Sequence, residues 1–445
     1  MSAVNAAISR TRSRFHPLIN WFRVTFAPVP ILGWLLGGLA ATIVEVLVGQ
    51  PLAVVLGMGE MPSIFGFAMA VSQPALIPSV LVYDLLMYLL PAFLVARLTA
   101  RWTNWLLEKL QALPMAVSAL IHVGLLYLVI YLWTSPSDYR ALILKLALIA
   151  VIVTLSLNVV NGYMGEFSCS HPGFMALGAY SASVVMVAFF VNDSVFGAPL
   201  LPTWLGPFMF PIALIVGGLV ASLGAIFVAI PSFRTRGDYL AIISLAFMFI
   251  VKSLFENLQF LGGARGFMGQ PPYASLPVIF VVAVLSVWII NNFVRSTLGK
   301  ALNAVRDDEV AADAMTVNTR RTKMIAFLFS AFWAGVAGGL LAHVLGYVNP
   351  DNFGILKLSE VLAMVYLGGL NSVVGSIVGA TGLHVLEEAL RSFQIIKWII
   401  IPVLLILVMI FRPTGLIAFR EFDVENLLKP KSVSSGDAEH ATPTD

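Results

Sequence analysis

Few side chains in this sequence have the types and spacing that covalent chemistry needs. Gly299 and Lys300 are followed by Ala301, so no G-x-x-x-x-G-K-[ST] phosphate loop is present and no nucleotide-hydrolysing site is expected. No H-E-x-x-H stands anywhere in the chain. His384 with Glu387 and Glu388 at helical spacing, followed by Arg391, reads as an ion-paired helix end and not as a metal site. The single cysteine, Cys169, excludes an intrachain disulfide and a cysteine-based metal cluster. No nucleophile and base are spaced for an intramembrane enzyme, so no catalytic residue, metal or cofactor is assigned to this chain. His122 and His343, alone in apolar runs, are expected to hydrogen-bond inside the core.

A different chemistry, passage of a polar solute, fits two glycine-rich interruptions. The first, Asn161 to Tyr180, reads NGYMGEFSCSHPGFMALGAY. Here Asn158, Asn161, Glu166, Ser168, Ser170 and His171 could line a polar track, and Pro172 with Gly173 forces a helix to restart. The second, Val365 to Gly382, reads VYLGGLNSVVGSIVGATG. Gly368 and Gly369 permit a turn there, so that the segment re-enters or doubles back and presents Asn371 and Ser372. Irregular backbone at membrane depth is tolerated where protein or a cavity covers it, so Gly368, Gly369, Asn371 and Ser372 complete the expected pathway lining; a glycine-rich packing helix is the alternative. One interrupted segment in each half matches transporters built from two pseudo-repeated halves. Gly33 with Gly37 and Gly375 with Gly379 read as close helix packing. The carboxylates Glu45, Asp84 and Glu166 support a rival from another class, an ion-coupled secondary carrier using them as proton sites.

The elements that must position these residues are membrane helices. Hydrophobic residues are 59% of 445 positions and mean hydropathy is +0.92, which makes the chain an all-α polytopic membrane protein and excludes a soluble fold. About 20 apolar residues cross the hydrocarbon core. On that rule ten to eleven segments are expected: 31–57, 64–96, 115–133, 141–160, 173–191, 207–230, 239–255, 276–293, 324–345, and, with interrupted or re-entrant character, 359–390 and 395–411. Residues 1–30 form a basic, interfacial, uncleaved segment carrying Arg10, Arg12, Arg14 and Arg23; a cleaved signal peptide is the rival reading. Arg97, Arg101 and Lys109 mark a cytoplasmic loop, as do Arg234 and Arg236. Arg412, Arg420, Lys429 and Lys431 place the C-terminus on the same side, which the parity of the spans allows only if 359–390 doubles back. The net charge of +3 reflects membrane orientation, and nucleic acid need not be invoked. The resulting organisation is a basic segment 1–30, an N-terminal membrane region 31–135, a core domain 136–418, and a structureless tail 419–445.

Between two of these spans, residues 294–323 hold six basic side chains, Arg295, Lys300, Arg306, Arg320, Arg321 and Lys323, and four acids, Asp307, Asp308, Glu309 and Asp313. Each such charge would cost roughly 2.5 to 3.5 kcal/mol at the bilayer centre, so the loop lies in water or against protein. A short helix is expected at 304–317, with Asp307, Asp308 and Glu309 complementing its positive end and Val310, Ala311, Ala314, Met315 and Val317 recurring at helical spacing. That apolar face suits a groove on a partner or, equally, a resting place on the chain's own membrane domain.

Taken together, Gly162 to Tyr180, RTRGDYLAIISLAF from Arg234 to Phe247, GGARG from Gly262 to Gly266, the charged loop, VYLGGLNSVVGSIVGA from Val365 to Ala380 and FRPTGL from Phe411 to Leu416 stand in the order that resembles the LivM-type permeases of branched-chain amino acid ABC importers. The resemblance covers roughly residues 140–418. It implies a multi-pass subunit of the bacterial inner membrane, in which the basic residues at the two ends are expected to place both termini in the cytoplasm. The implied partners are a LivH-type second permease, two cytoplasmic ATPases that bind ATP and magnesium, a periplasmic solute-binding protein and membrane lipid. The loop is similar to the family's ATPase-contacting segment, which points to Arg306, Asp307, Asp308, Glu309, Val310, Ala311, Asp313 and Met315 as coupling residues. Similar permeases also serve urea, amides and aromatic acids. The family usually has Leu-Gly where Cys169 follows Ser168, commonly alanine at Pro172, and glycine where Thr316 stands.

Overall fold

The computed structural model describes residues 24–192, 195–233, 239–393, 397–412, 414–419 and 421–431. The basic segment up to residue 23, Arg234, Arg236, Arg420 and the tail 432–445 lie outside the described residues. In chain order the helices are α1 (Ile31–Val55), α2 (Pro74–Leu110), α3 (Met115–Thr134), α4 (Asp138–Met164), α5 (His171–Phe190), α6 (Thr203–Ser232), α7 (Tyr239–Asn257) and α8 (Leu276–Arg295). Two short helices follow, α9 (Thr297–Asp307) and α10 (Glu309–Ala314), and then the long α11 (Thr319–Leu345). The chain continues through α12 (Ile355–Gly368), α13 (Val373–Ala389), α14 (Lys397–Phe411) and the small α15 (Val424–Leu428). Among the described residues nine helices, α1 to α8 and α11, are long and apolar enough to cross a membrane.

Two compact units divide the chain. The first holds the residues up to Arg140 and those from Asp423. Its interior centres on a buried ion pair: Arg140 Nη2 lies 2.7 Å from Glu45 Oε1, each side chain only 1% exposed. The same carboxylate oxygen accepts from the Tyr83 hydroxyl at 3.2 Å and the Tyr88 hydroxyl at 2.5 Å, while Arg140 also donates to the carbonyls of Pro62 (2.7 Å) and Trp133 (3.3 Å). Glu45, expected as a possible proton site, holds α1, α2 and the start of α4 together through Oε1, while its buried Oε2 has no hydrogen-bond partner. Gly37 packs directly on the Ala92 backbone, the close approach foreseen for the Gly33–Gly37 pair. Arg97, Arg101 and Lys109 are not in a loop. The second span runs on to Leu110, because Ala96, Ala100, Thr103 and Leu107 repeat at helical spacing and bury one face, leaving the three bases exposed on the other. The segment from 419 is also not structureless as far as it is described. Asp423 caps α15, Lys429 pairs with Glu425 at 2.9 Å, and the Lys431 amide donates to Asn104 Oδ1 at 2.9 Å.

The second unit, Ala141–Phe422, has its core where α5, α6 and α11 meet. These helices approach through Gly178, Gly217 and Gly335, and a side chain on Gly178 would run into the Gly335 backbone. Small residues at such crossings let backbones touch where lipid supplies no hydrophobic drive. His343 bonds the Gly339 carbonyl at 2.8 Å, as expected of a core histidine, and His122 of the first unit does the same with Ser118 at 2.7 Å. At one end of the bundle the two-residue strands β1 (Phe267–Met268) and β2 (Tyr347–Val348) pair antiparallel, Phe267 opposite Val348. The helices α9 and α10 lie at the other end.

The expected single segment 359–390 is a hairpin. Gly379 packs on the Met364 backbone and Gly375 on Gly368, so α12 and α13 run antiparallel. With 14 and 17 residues they reach only about 21 and 26 Å, short of the roughly 30 Å core. The chain therefore returns to the end it came from, and α14, at 15 residues similar in length to the hairpin arms, runs back until the residues after it, Leu416 and Ile417, bond the carbonyls at the end of α12. Phe419 then stands 5.6 Å from the Arg306 guanidinium, and the Phe422 carbonyl accepts from Asn291 at 3.3 Å, both at the end occupied by α9 and α10. This accounts for the span parity. Replacing one member of the buried pair, Glu45→Leu, strands the Arg140 charge and is expected to cost about 3–5 kcal/mol. The Glu45→Leu/Arg140→Met double variant should recover most of that loss in detergent unfolding; a single variant as stable as the parent would refute a structural role.

Candidate functional site

The charged loop folds into two helices, where the sequence led us to expect one. Ser296 caps α9, and the backbone then turns extended at Asp308 (φ −158°, ψ 106°). The Asp308 carboxylate accepts from the amides of Val310 (2.9 Å) and Ala311 (3.0 Å), satisfying the open N-terminus of α10. Glu309 follows in the first turn, where the helix dipole favours an acid. The far end closes with the amide of Val317 on the Ala312 carbonyl (3.1 Å) and that of Thr316 on Asp313 (3.0 Å), a Schellman pattern. It requires a left-handed residue, and Thr316 supplies it at φ +68°. Of α10 only Ala312 is buried; Val310 (81% exposed) and Met315 (76%) point away from the protein, as do Ala311, Ala314 and Asp313.

Two tethers join these helices to the membrane bundle. Lys323, in the first turn of α11, places its ammonium 2.9 Å from Glu309 Oε2 and 2.7 Å from Glu166 Oε1. Arg306 lies across Gly165 and donates from Nη1 to the Gly162 carbonyl at 3.3 Å, while its Nε and Nη2 grip Asp307 at 3.0 and 2.8 Å. The expected coupling residues therefore divide. Arg306, Asp307, Asp308 and Glu309 are engaged within the chain, whereas Val310, Ala311, Asp313 and Met315 are available outside it. Glu166, the second expected proton site, is ion-paired; Asp84 keeps one buried oxygen, Oδ1, without a hydrogen-bond partner.

Both tethers end on the first interruption. It begins earlier than the glycine pattern indicates: α4 widens into a π-helix over Val159–Met164, every residue buried, and ends at Gly165. Such widened turns recur at functional positions because they leave the regular ladder unsatisfied. The second interruption is at Gly369 (φ +127°), a conformation open to glycine and to little else, followed by Asn371 at φ +55°. One side chain joins the two. Asn158 Nδ2 donates to Ser376 Oγ (2.6 Å) and to the carbonyls of Ser372 (3.0 Å) and Gly369 (3.4 Å), and its Oδ1 accepts from the Asn371 amide (3.1 Å). Gly162 makes room for this, since a Cβ there would overlap the Asn158 side chain and the Asn371 nitrogen. The strand-like residues after α14 add bonds from the amides of Leu416 and Ile417 to the carbonyls of Leu367 (3.0 Å) and Gly368 (2.9 Å).

The remaining expected pathway residues are also interior. Asn161 Oδ1 accepts from the Ser168 amide (3.2 Å), Ser168 and Ser170 bond each other (2.9 Å), and His171 Nε2 meets Ser330 Oγ (2.9 Å), which donates to the Ser156 carbonyl (2.6 Å). They lock α4, α5 and α11 together and line none of the described cavities. Cys169, between α4 and α5, is buried, and burial pushes its thiol above the ordinary range. His384 lies 3.7 Å from Glu387. Lys323 and Ser376 were not singled out as site residues, although a lysine in the first turn of an apolar helix, with acids nearby in the chain, is a readable signal. Asn158's partners lie over two hundred residues away and leave none.

A bundle of apolar spans with two joined interruptions and a charged pair of helices bonded to one of them defines a polytopic membrane transport subunit. The chain belongs to the family described as branched-chain amino acid transport system / permease component, whose model matches residues 139–411. It is a permease subunit of the ABC-importer type. It is 33% identical over 310 residues to the high-affinity branched-chain amino acid transport system permease protein LivM of Escherichia coli, covering 62% of this chain and 69% of that protein. The LivM protein of Salmonella typhimurium gives the same identity and coverage, and BraD of Pseudomonas aeruginosa is 32% identical over 149 residues, 33% of this chain and 48% of that one. No solved structure gives a significant match. Relieving the left-handed strain with Thr316→Gly should stabilise the loop by about 1 kcal/mol. Slower amide hydrogen exchange over residues 312–317 is the expected result, and faster exchange the contrary one.

Proposed function

We propose that the chain moves branched-chain amino acids across the bacterial inner membrane, driven by ATP that separate subunits hydrolyse. The proposed assembly pairs this chain with a LivH-type permease, two cytoplasmic ATPases holding ATP and magnesium, and a periplasmic binding protein. The single observation that carries the coupling is α10. An amphipathic helix that turns Val310 and Met315 outward while Glu309 anchors it inward is built to be gripped on one face and to pull on the other.

The proposed cycle is alternating access. ATP binding closes the ATPase dimer and shifts α9 and α10; Lys323 and Arg306 carry the shift to Glu166 and Gly162; the Asn158 contacts with the hairpin tip then rearrange and open the pathway. Hydrolysis resets it. A partner can bias such an equilibrium only by contacting the two states differently, which an exposed apolar face on a tethered helix allows. The end bearing α9 and α10 is in this reading cytoplasmic. The solute is assigned from the relatives' names, and the first unit, which lies outside the family match, is a peripheral addition.

The test is the double charge reversal Glu309→Lys/Asp313→Lys. It places a cation beside Lys323 and inverts the exposed acidic edge. Leucine uptake into proteoliposomes and stimulation of the partner ATPase should fall to background, with membrane insertion intact. Normal uptake by that variant would remove α10 from the coupling path.

A further inference from the structure

Among the described residues of the second unit lies a half-open cavity that combines apolar walls with charge. Its volume is about 380 Å³, within the range of small-molecule sites, roughly 300–1,000 Å³. It is entered at the end opposite α9 and α10, past Leu345, the last residue of α11, and Asp351 just beyond it. The deeper walls are Val153, Met175, Leu341 and Met364. Besides Asp351, the charged side chains Lys357 and Glu360 line it, paired with each other at 2.7 Å and only 23% and 15% exposed, and His384 lines it as well.

The order of that pair matters. A lysine in the first turn of α12 opposes the helix dipole, and an acid three residues after it is the weaker orientation for an intrahelical pair. Helix stability therefore does not account for placing these charges here. Asp351 at the mouth is already held by Lys252 at 2.7 Å, so the charged groups of the lining not engaged outside it are the deeper pair, with His384 beside them. The floor is a contact between α4 and α12, Thr154 Oγ1 to Met364 Sδ at 3.3 Å. One helical turn below Thr154 on α4 is Asn158, which clasps the tip of α12.

We propose that this cavity is a transit site for a zwitterionic amino acid with an aliphatic side chain. Its carboxylate replaces Glu360 as the partner of Lys357, its ammonium takes Glu360, and its side chain lies on Val153, Met175 and Met364. Binding exchanges the Lys357–Glu360 pair for one pair to each end of the zwitterion, whereas a carboxylate or an amine alone would take one of the two and leave the other without its partner. Release of the Asn158 clasp would open the floor beneath it. The inference rests on the amino-acid reading of the function but assigns residues that the reading does not.

The test uses the assembled importer in proteoliposomes with leucine as the probe. Lys357→Met and Glu360→Gln should each lower leucine uptake about tenfold or more, the loss expected for one charge-assisted contact, with the ATPase subunits still co-purifying. Independently, Leu341→Cys should react with a small cationic thiol reagent, block uptake when modified, and be protected by leucine; Cys169, buried, stays silent. Uptake at the parental rate in both charge variants, or modification of Leu341→Cys unaffected by leucine, would overturn the site. Absence of leucine uptake by the parent chain would instead overturn the functional reading beneath it.

Discussion

The architecture depends on one ammonium group. Lys323 stands at the boundary between charges that cannot enter the bilayer and helices that cannot leave it, and it binds a carboxylate from each side, Glu309 of α10 and Glu166 beyond the π-helix. With its side chain 11% exposed, this is not a freely solvated surface pair. Losing Glu166, the more buried of the two acids, would leave a largely buried ammonium under-compensated, a larger penalty than that of a surface salt bridge, whereas the half-exposed Glu309 is partly screened by solvent. The short helices thus move with the membrane bundle or not at all.

From that boundary an unbroken series of bonds leads inward. Arg306 holds the Gly162 carbonyl in the widened turn of α4, and the turn carries Asn158 into the hairpin tip, where it meets Gly369, Asn371, Ser372 and Ser376. An asparagine suits this place because one amide supplies both a donor pair and an acceptor, matching exposed carbonyls and an exposed amide at once. Each bond is modest in a membrane, on the order of 0.6 kcal/mol on average, but an interrupted helix has no water to fall back on, so the set forms or breaks together. Shape changes at the water-facing end and at the hairpin are in this way made interdependent.

Much of this was legible in the sequence and some of it could not be. Apolar runs fixed the helices, because length and hydropathy are local properties. The charge excess at 294–323 located the short helices outside the membrane bundle, and Gly368 with Gly369 located the hairpin tip, since bilayer and backbone penalties act on any such residue regardless of its neighbours. The span parity even required the hairpin. What stayed hidden depended on distant partners: the π-widening at Val159, the split of the loop at Asp308, the clasp from Asn158, and Arg140 opposite Glu45. Arg97 and Arg101 misled for a related reason, as a helix can extend beyond the apolar core with bases on one face. The hydrogen bonds of Ser168 with Ser170 and of His171 with Ser330 were equally hidden, because composition alone does not show which partner a buried serine finds.

The most direct measurement of the central claim is amide hydrogen exchange in the assembled importer, compared with and without bound ATP, for the parent chain and for Asn158→Leu. In the parent, peptides covering 159–164 and 369–376 should both change protection when ATP binds. In Asn158→Leu the first should still change and the second should not. An equal response of 369–376 in the variant would contradict the bonded route described above.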